Sequence, residues 1–218
     1  MKHAVVDLSR VTPLRAPRVT KRALAKQRTR ERVLAAARSV FAERGFEDAT
    51  IRDIAGAAEL STGAVFANFA DKAALFDAVM AADYETAAER MRQVLSGEHA
   101  PAVEVLTAMF AAAYAFHLEQ LPLVQAGLAH SWSREKAAAL FNKAAVMRVL
   151  QSLEDVLQAG VDRGELTEGM DVPMLAEMLW DAYLANYRLA VFENYNLEDL
   201  IVRVRTQTVT MLCGFVRR

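Results

Sequence analysis

The sequence predicts an all-α protein, with a small three-helix head ahead of a larger C-terminal helical bundle. Three observations carry this. Apolar residues recur at the 3, 4, 7 spacing of one helix face in segment after segment. Hydroxyl, Asp and Pro residues stand where those segments begin and Gly or Pro where they end, and no run alternates with the period of two that a strand needs.

The chain opens on a basic stretch. Residues 1–32 carry ten Lys or Arg against Asp7 and Glu31, a balance of +8, which leaves −9 for the rest of a chain whose net charge is −1. A basic end on an acidic body suits an arm drawn to a polyanion, and a solvated tail without a partner fits residues 1–20 as well, since Pro13 and Pro17 prevent one continuous helix there. The first helix begins between Lys21 and Thr29, ends at Gly45, and buries Val33, Leu34, Ala37, Val40 and Phe41.

Thr50 to Lys72 is the stretch around which the head is organised. Thr50 with Asp53 three residues on is a helix-start signature, and Ile51, Ile54, Ala55 and Ala58 follow at helical spacing. Glu59 and Leu60 make a turn. Ser61 caps a second short helix whose Val65 and Phe69 point back at the first, leaving Thr62, Ala64, Phe66, Ala67 and Asn68 facing outward. Low bulk on that face suits a helix entering the major groove of DNA, which is roughly 12 Å wide. Two short capped helices are also an ordinary packing unit of any helical domain, so spacing alone leaves both readings standing.

From Arg30 to about Met80 the run resembles the DNA-binding domain of the TetR family of transcriptional regulators. The matching features are Val40-Phe41, Arg44-Gly45-Phe46, Thr50 to Ala55, and the series Ser61, Gly63, Phe66, Phe69 and Lys72. This resemblance implies a helix-turn-helix head over residues 21–70, a linking helix over 71–97, and a ligand-binding and dimerisation bundle over 98–218. It places Thr62, Ala64 and Val65 where the family reads bases, and Thr50, Phe66, Asn68 and Lys72 where it holds phosphates. Arg52 serves either contact, Ser61 caps the reading helix, and Arg28 and Arg30 extend the basic surface. Two residues depart from the family pattern. Phe66 stands where tyrosine is usual, removing a phenolic hydrogen bond to phosphate. Glu59 stands where glycine is common, so a positive φ there would store about 1 kcal/mol of strain.

Beyond the head, Asp71 opens a helix to about Ser96-Gly97, and Pro101 opens another through Leu121, which Pro122 ends. A shorter helix follows over 123–130, then one over 134–159, one from Asp171 and Pro173 to Phe192, and a last one over 197–215. The last helix but one is apolar on nearly every side, which fits either a central core helix of a monomer or a helix shared with a second copy. The resemblance implies the latter, a dimer through the last two helices, with Trp180, Leu184, Leu200, Val204, Thr208, Met211 and Phe215 at the interface. A two-fold dimer sets its reading helices about 34 Å apart, on a roughly palindromic site in double-stranded DNA.

Phe110, Tyr114, His117, Trp132, Phe141, Met147, Trp180, Tyr183 and Tyr187 are the candidates to line a pocket for a small-molecule effector, and the same residues serve equally as plain core. His117 and His130 have no ligand spacing, so neither metal nor cofactor is expected. Cys213 reads as an inert core or interface thiol. No run reaches a membrane span and no signal-peptide core precedes the head, so a cytoplasmic protein without a membrane partner is expected. No nucleophile elbow, phosphate loop, HExxH or dinucleotide fingerprint supports an enzyme. Three functions compete: a repressor released from DNA by an effector, a DNA-bound regulator or activator without a ligand, and a helical carrier or enzyme.

Overall fold

The computed structural model describes residues 20–94, 100–132 and 143–216, with the side chains of 130–132 and 143–144 left aside. Among the described residues there are nine helices and no strand, only an isolated antiparallel bridge between Leu166 and Val216. They are α1 (Lys21–Asp48), α2 (Ile51–Ala57), α3 (Thr62–Phe66), α4 (Lys72–Gln93), α5 (Ala102–Leu118), α6 (Leu121–Trp132), α7 (Lys143–Asp162), α8 (Val172–Phe192) and α9 (Leu197–Leu212).

The predicted caps act as caps. Thr50 and Asp53 form a reciprocal capping box, with the Asp53 backbone N–H donating to Thr50 Oγ1 at 3.2 Å and the Thr50 backbone N–H donating to Asp53 Oδ2 at 3.1 Å. Ser61 accepts from the Ala64 N–H, Asp71 from Ala74 and Asp171 from Met174. Gly45, at φ +75°, interrupts α1 where the helix was expected to end, and three more residues continue beyond the kink. Pro122 departs from expectation. It was expected to end the helix from Pro101 through Leu121, but α5 already stops at Leu118 and Pro122 stands second in α6, where its missing N–H lacks an intrahelical partner in any case. The helix expected over 134–159 is described only from Lys143 and runs on to Asp162.

Around α1, the head core gathers Val33, Ala37, Phe41, Ile54, Val65, Phe69 and Leu75, and Phe41 meets Phe76 edge-on at 5.0 Å. The same α4 that supplies Leu75 and Phe76 continues into the body, where α5 and α9 pack face to face and α7 and α8 close the bundle. One continuous core therefore runs from head to body. No single helix among the described residues is long and apolar enough to cross a membrane, and the apolar pair α5 and α6 is bent by 99°.

The turn between α2 and α3 is a Schellman ending: the Glu59 N–H donates to the Gly56 carbonyl at 3.0 Å and the Leu60 N–H to the Ala55 carbonyl at 2.9 Å. That motif needs a left-handed residue, and Glu59 supplies it at φ +52°. Its carboxylate gains little in return, lying 3.6 Å from Arg32 and 88% exposed. Replacing Glu59→Gly should therefore stabilise the fold by about 0.5–1 kcal/mol and raise Tm by roughly 1–4 °C. Thermal unfolding followed by circular dichroism checks this; an unchanged or lower Tm would show that the strain is absent.

Candidate nucleic-acid interface and body pocket

The outer face of α3 and its cap is built from small and polar groups. Ser61, Thr62, Gly63, Phe66 and Ala67 are exposed, Ala64 is half-buried, and Phe66 presents 54% of its surface to solvent. A large apolar ring on an otherwise low-relief face is free to meet an apolar group such as a thymine methyl. Arg28 and Arg52 are exposed, and no hydrogen bond or ion pair engages either guanidinium among the described residues.

Four of the residues expected to face DNA are engaged differently. Val65 is wholly buried in the head core, so it braces the reading helix from behind and cannot read a base. Asn68 turns its amide back, Nδ2 donating to the Ala64 carbonyl at 2.9 Å. Arg30 Nη1 donates to the Asn68 carbonyl at 3.1 Å, and its guanidinium lies 4.3 Å from the Phe69 ring centre. Lys72 Nζ donates to the carbonyls of Phe46, Glu47 and Ala49 at 2.7, 3.0 and 3.1 Å, using all three of its donors on the end of α1. Arg32 plays the same part for α2, donating to the Ala58 carbonyl at 2.7 Å. Cations thus satisfy the carbonyl ends of all three head helices. Thr50 stays exposed beside its capping box, and its hydroxyl and N–H hold the Asp53 carboxyl below its usual range.

In the body, the predicted pocket residues divide. Phe110, Tyr114 and Tyr183 are fully buried; Phe110 and Trp180 each stack on Tyr183 at 5.2 Å and Tyr114 meets it tilted at 4.8 Å, so these four are core. Met147 is 54% exposed and is not among the residues that line the cavity beside His117 and Tyr187. Phe141 and the Trp132 side chain lie outside the described residues. His117 and Tyr187 do line a small cavity of about 10 Å³, together with Met80, Asp83, Tyr84, Val124, Leu128 and Leu184. Among the described residues no group of three or more His, Cys, Asp or Glu is arranged to hold a metal.

Asp83, only 1% exposed, is the functional candidate that periodicity passed over. Arg38 of α1 pairs with its Oδ1, while Arg38 Nε donates to Gln120 Oε1 at 2.7 Å. Beside it, His117 Nδ1 lies 2.6 Å from the Tyr187 hydroxyl, which in turn lies 2.6 Å from the Tyr183 hydroxyl. The Tyr114 hydroxyl donates to the Tyr183 carbonyl and accepts from Asn186, which also pairs with Gln207 of α9. Asp83 shares α4 with Asp77, Glu85 and Glu89, so no sequence signal set it apart, and its partner stands 45 positions upstream.

The dimer expectation needs correction in its residues. Leu200, Val204 and Thr208 are wholly buried within their own protomer, packed towards α5, and Trp180 belongs to the core; Leu184, Met211 and Phe215 are half-buried. The exposed apolar surface of these two helices is instead Met174, Met178 and Phe192 on α8 with Val202 and Val209 on α9. Cys213 is exposed in the protomer and not in its core.

Burial raises the Asp83 carboxyl to about 6 against the opposing pull of Arg38, and burial with the nearby Arg38 and Arg90 lowers His117 to about 4. The two have opposite linkage. The Asp83 contribution to stability is full below its ordinary value of 3.8 and is lost as pH rises through 6; the His117 contribution is full above 6.5 and is lost as pH falls through 4. Over pH 4–6.5 they largely cancel. Asp83→Asn should expose the His117 half alone, so that its stability rises by on the order of 2 kcal/mol from pH 4.5 to 6.5 while the native chain changes little. Urea midpoints at those two pH values measure it, and equal slopes for the two proteins would sink the assignment.

Residues 33–79 match the family model described as "Bacterial regulatory proteins, tetR family". The chain is 29% identical over 157 residues to the HTH-type transcriptional regulator UidR of Escherichia coli, covering 71% of this chain and 78% of that one. Among solved structures it is similar to Salmonella enterica GusR, with a TM-score of 0.70 at 24% identity over 90% of this chain and 100% of that chain. SmeT, the repressor of the Stenotrophomonas maltophilia multidrug efflux pump SmeDEF, matches with a TM-score of 0.66 at 24% identity over 88% and 92%. The structural likenesses establish the fold: a helix-turn-helix head on a helical body.

Proposed function

We propose that the chain, whose residues 33–79 match the TetR family model and which resembles helix-turn-helix regulators over most of its length, is a DNA-binding repressor that a small-molecule effector releases from a roughly palindromic operator. The observation that carries DNA binding is the outer face of α3, where Thr62, Ala64 and an exposed Phe66 stand clear of the core on a rigidly capped head. Thr50, Ser61, Arg28 and Arg52 flank it as phosphate contacts. Repression accords with the relatives named as repressors, SmeT among them. The chemistry of this face is recognition, so no catalysis is assigned to it, and a cytoplasmic location accords with a DNA partner.

Selective binding to the chain's own upstream DNA is the first test, by fluorescence anisotropy at about 50 and 200 mM salt. Affinity should fall at least tenfold over that range, since each neutralised phosphate releases counterions. Thr62→Ala and Phe66→Ala should each weaken selective binding by roughly 1–3 kcal/mol while leaving non-selective binding nearly intact. Equal affinity for upstream and random DNA would leave α2 and α3 a packing unit, and would favour the carrier reading.

The active form in this reading is a homodimer. Its interface is the exposed stripe Met174, Met178 and Phe192 with Val202 and Val209, an apolar face at helical spacing on two adjacent helices. Val209→Glu should convert dimer to monomer in sedimentation equilibrium and abolish operator binding with little change in Tm. A variant that stays dimeric would move the interface elsewhere.

A further inference from the structure

The cavity at the head–body joint offers two polar atoms to whatever enters it. His117 Nδ1 lies within hydrogen-bond distance of two tyrosine hydroxyls, 2.6 Å from Tyr187 and 3.1 Å from Tyr183, and burial beside Arg38 and Arg90 keeps the ring neutral. A neutral imidazole carries one N–H. With the Asp83 carboxylate opposite Nε2, the favoured tautomer puts the proton on Nε2 and leaves Nδ1 to accept from tyrosine. Nε2 and Asp83 Oδ2 then face each other across 4.0 Å, too far for a hydrogen bond, in a cavity whose remaining wall is largely Met80, Val124, Leu128 and Leu184. Neither carboxylate oxygen of Asp83 has a hydrogen bond of good geometry among the described residues, and Oδ1 is the one that Arg38 pairs.

A group that fills this gap must accept from an N–H on one side and donate to a carboxylate on the other. An ammonium donates but cannot accept, and the two arginines already supply positive charge. A carboxylate accepts from His117 but is repelled by Asp83. A hydroxyl does both. We propose that the Asp83–His117 gap is the effector's anchoring point, and that it takes the alcohol group of a small neutral molecule whose apolar part lies against Met80, Val124, Leu128 and Leu184. This rests on the effector-controlled reading given above. The wall able to make room is Met80, a flexible side chain whose thioether rests directly on Gly127 of α6, where any Cβ would fall 2.5 Å from its terminal carbon. The anchoring carboxylate is also the one that holds Arg38 of α1, so ligand and head share a single side chain.

The probes are benzyl alcohol, benzyl methyl ether, which accepts but cannot donate, and protonated benzylamine, which donates but cannot accept. Binding is followed by the imidazole nitrogen shifts of the ¹⁵N-histidine-labelled full chain without DNA. Benzyl alcohol should give a saturable shift of His117, the ether and the amine should bind at least tenfold more weakly, and Asp83→Asn should weaken the alcohol at least tenfold. Leu128→Trp, which fills the cavity from its apolar side and leaves the polar pair untouched, should abolish the shift even if Asp83→Asn folds poorly. Equal binding of alcohol and ether, binding that survives both substitutions, or no saturable shift, as when the gap takes water only, would overturn the proposal. Operator binding measured on the same samples separates the failures: selective DNA binding without alcohol binding defeats this inference alone, whereas loss of selective DNA binding defeats the regulator reading.

Discussion

The pairing of Arg38 with Asp83 is the constraint on which the arrangement of head and body depends. A carboxylate 1% exposed in the middle of α4 is tolerable only with a cation beside it, and α1 provides that cation. The same guanidinium lies over the Phe116 ring of α5 at 5.2 Å and donates to Gln120, just ahead of α6. Four segments of the chain therefore meet at one side chain. Any other seat of the head on the body would leave a buried charge uncompensated, so the ion pair selects one orientation even where it adds little net stability.

The buried polar groups of the body extend the same logic. His117, Tyr183 and Tyr187 form one connected set, and Tyr114, Asn186 and Gln207 carry it to α9. Each hydroxyl or amide in such a chain has a definite partner, which fixes the rotation of α5, α8 and α9 relative to one another. Apolar packing alone tolerates small slips between helices; a hydrogen-bonded row across three of them does not.

What the sequence made legible was local. Thr50, Ser61, Asp71 and Asp171 announce their helices because a cap involves only the next three residues, and Gly45 marks the break in α1 for the same reason. The 3, 4, 7 pattern found the apolar stripe of α9 but could not tell whether that stripe meets its own chain. Leu200, Val204 and Thr208 turn inward, and the face left over holds Val202 and Val209. Lys72 and Asn68 looked available for phosphate because their partners are backbone carbonyls, which no residue pattern records. Asp83 and Arg38 are distant in sequence, and only the fold brings them together.

Lys72 and Asp83 together make α4 a beam fixed at two points. Its first residue grips the end of α1 through three carbonyls, and about 16 Å further along its axis Asp83 grips α1 again through Arg38. A beam held twice by the same neighbour cannot tilt on it; it must first lose one support. The lower support is built from neutral carbonyls around a half-buried ammonium, and the upper one shares its carboxylate with the cavity. Rupture of a buried pair of this kind costs about 3 kcal/mol, so a molecule that frees the head at that support must prefer the tilted form by roughly 150-fold. That preference, and not tightness of binding as such, is the property by which ligands of this cavity should be ranked.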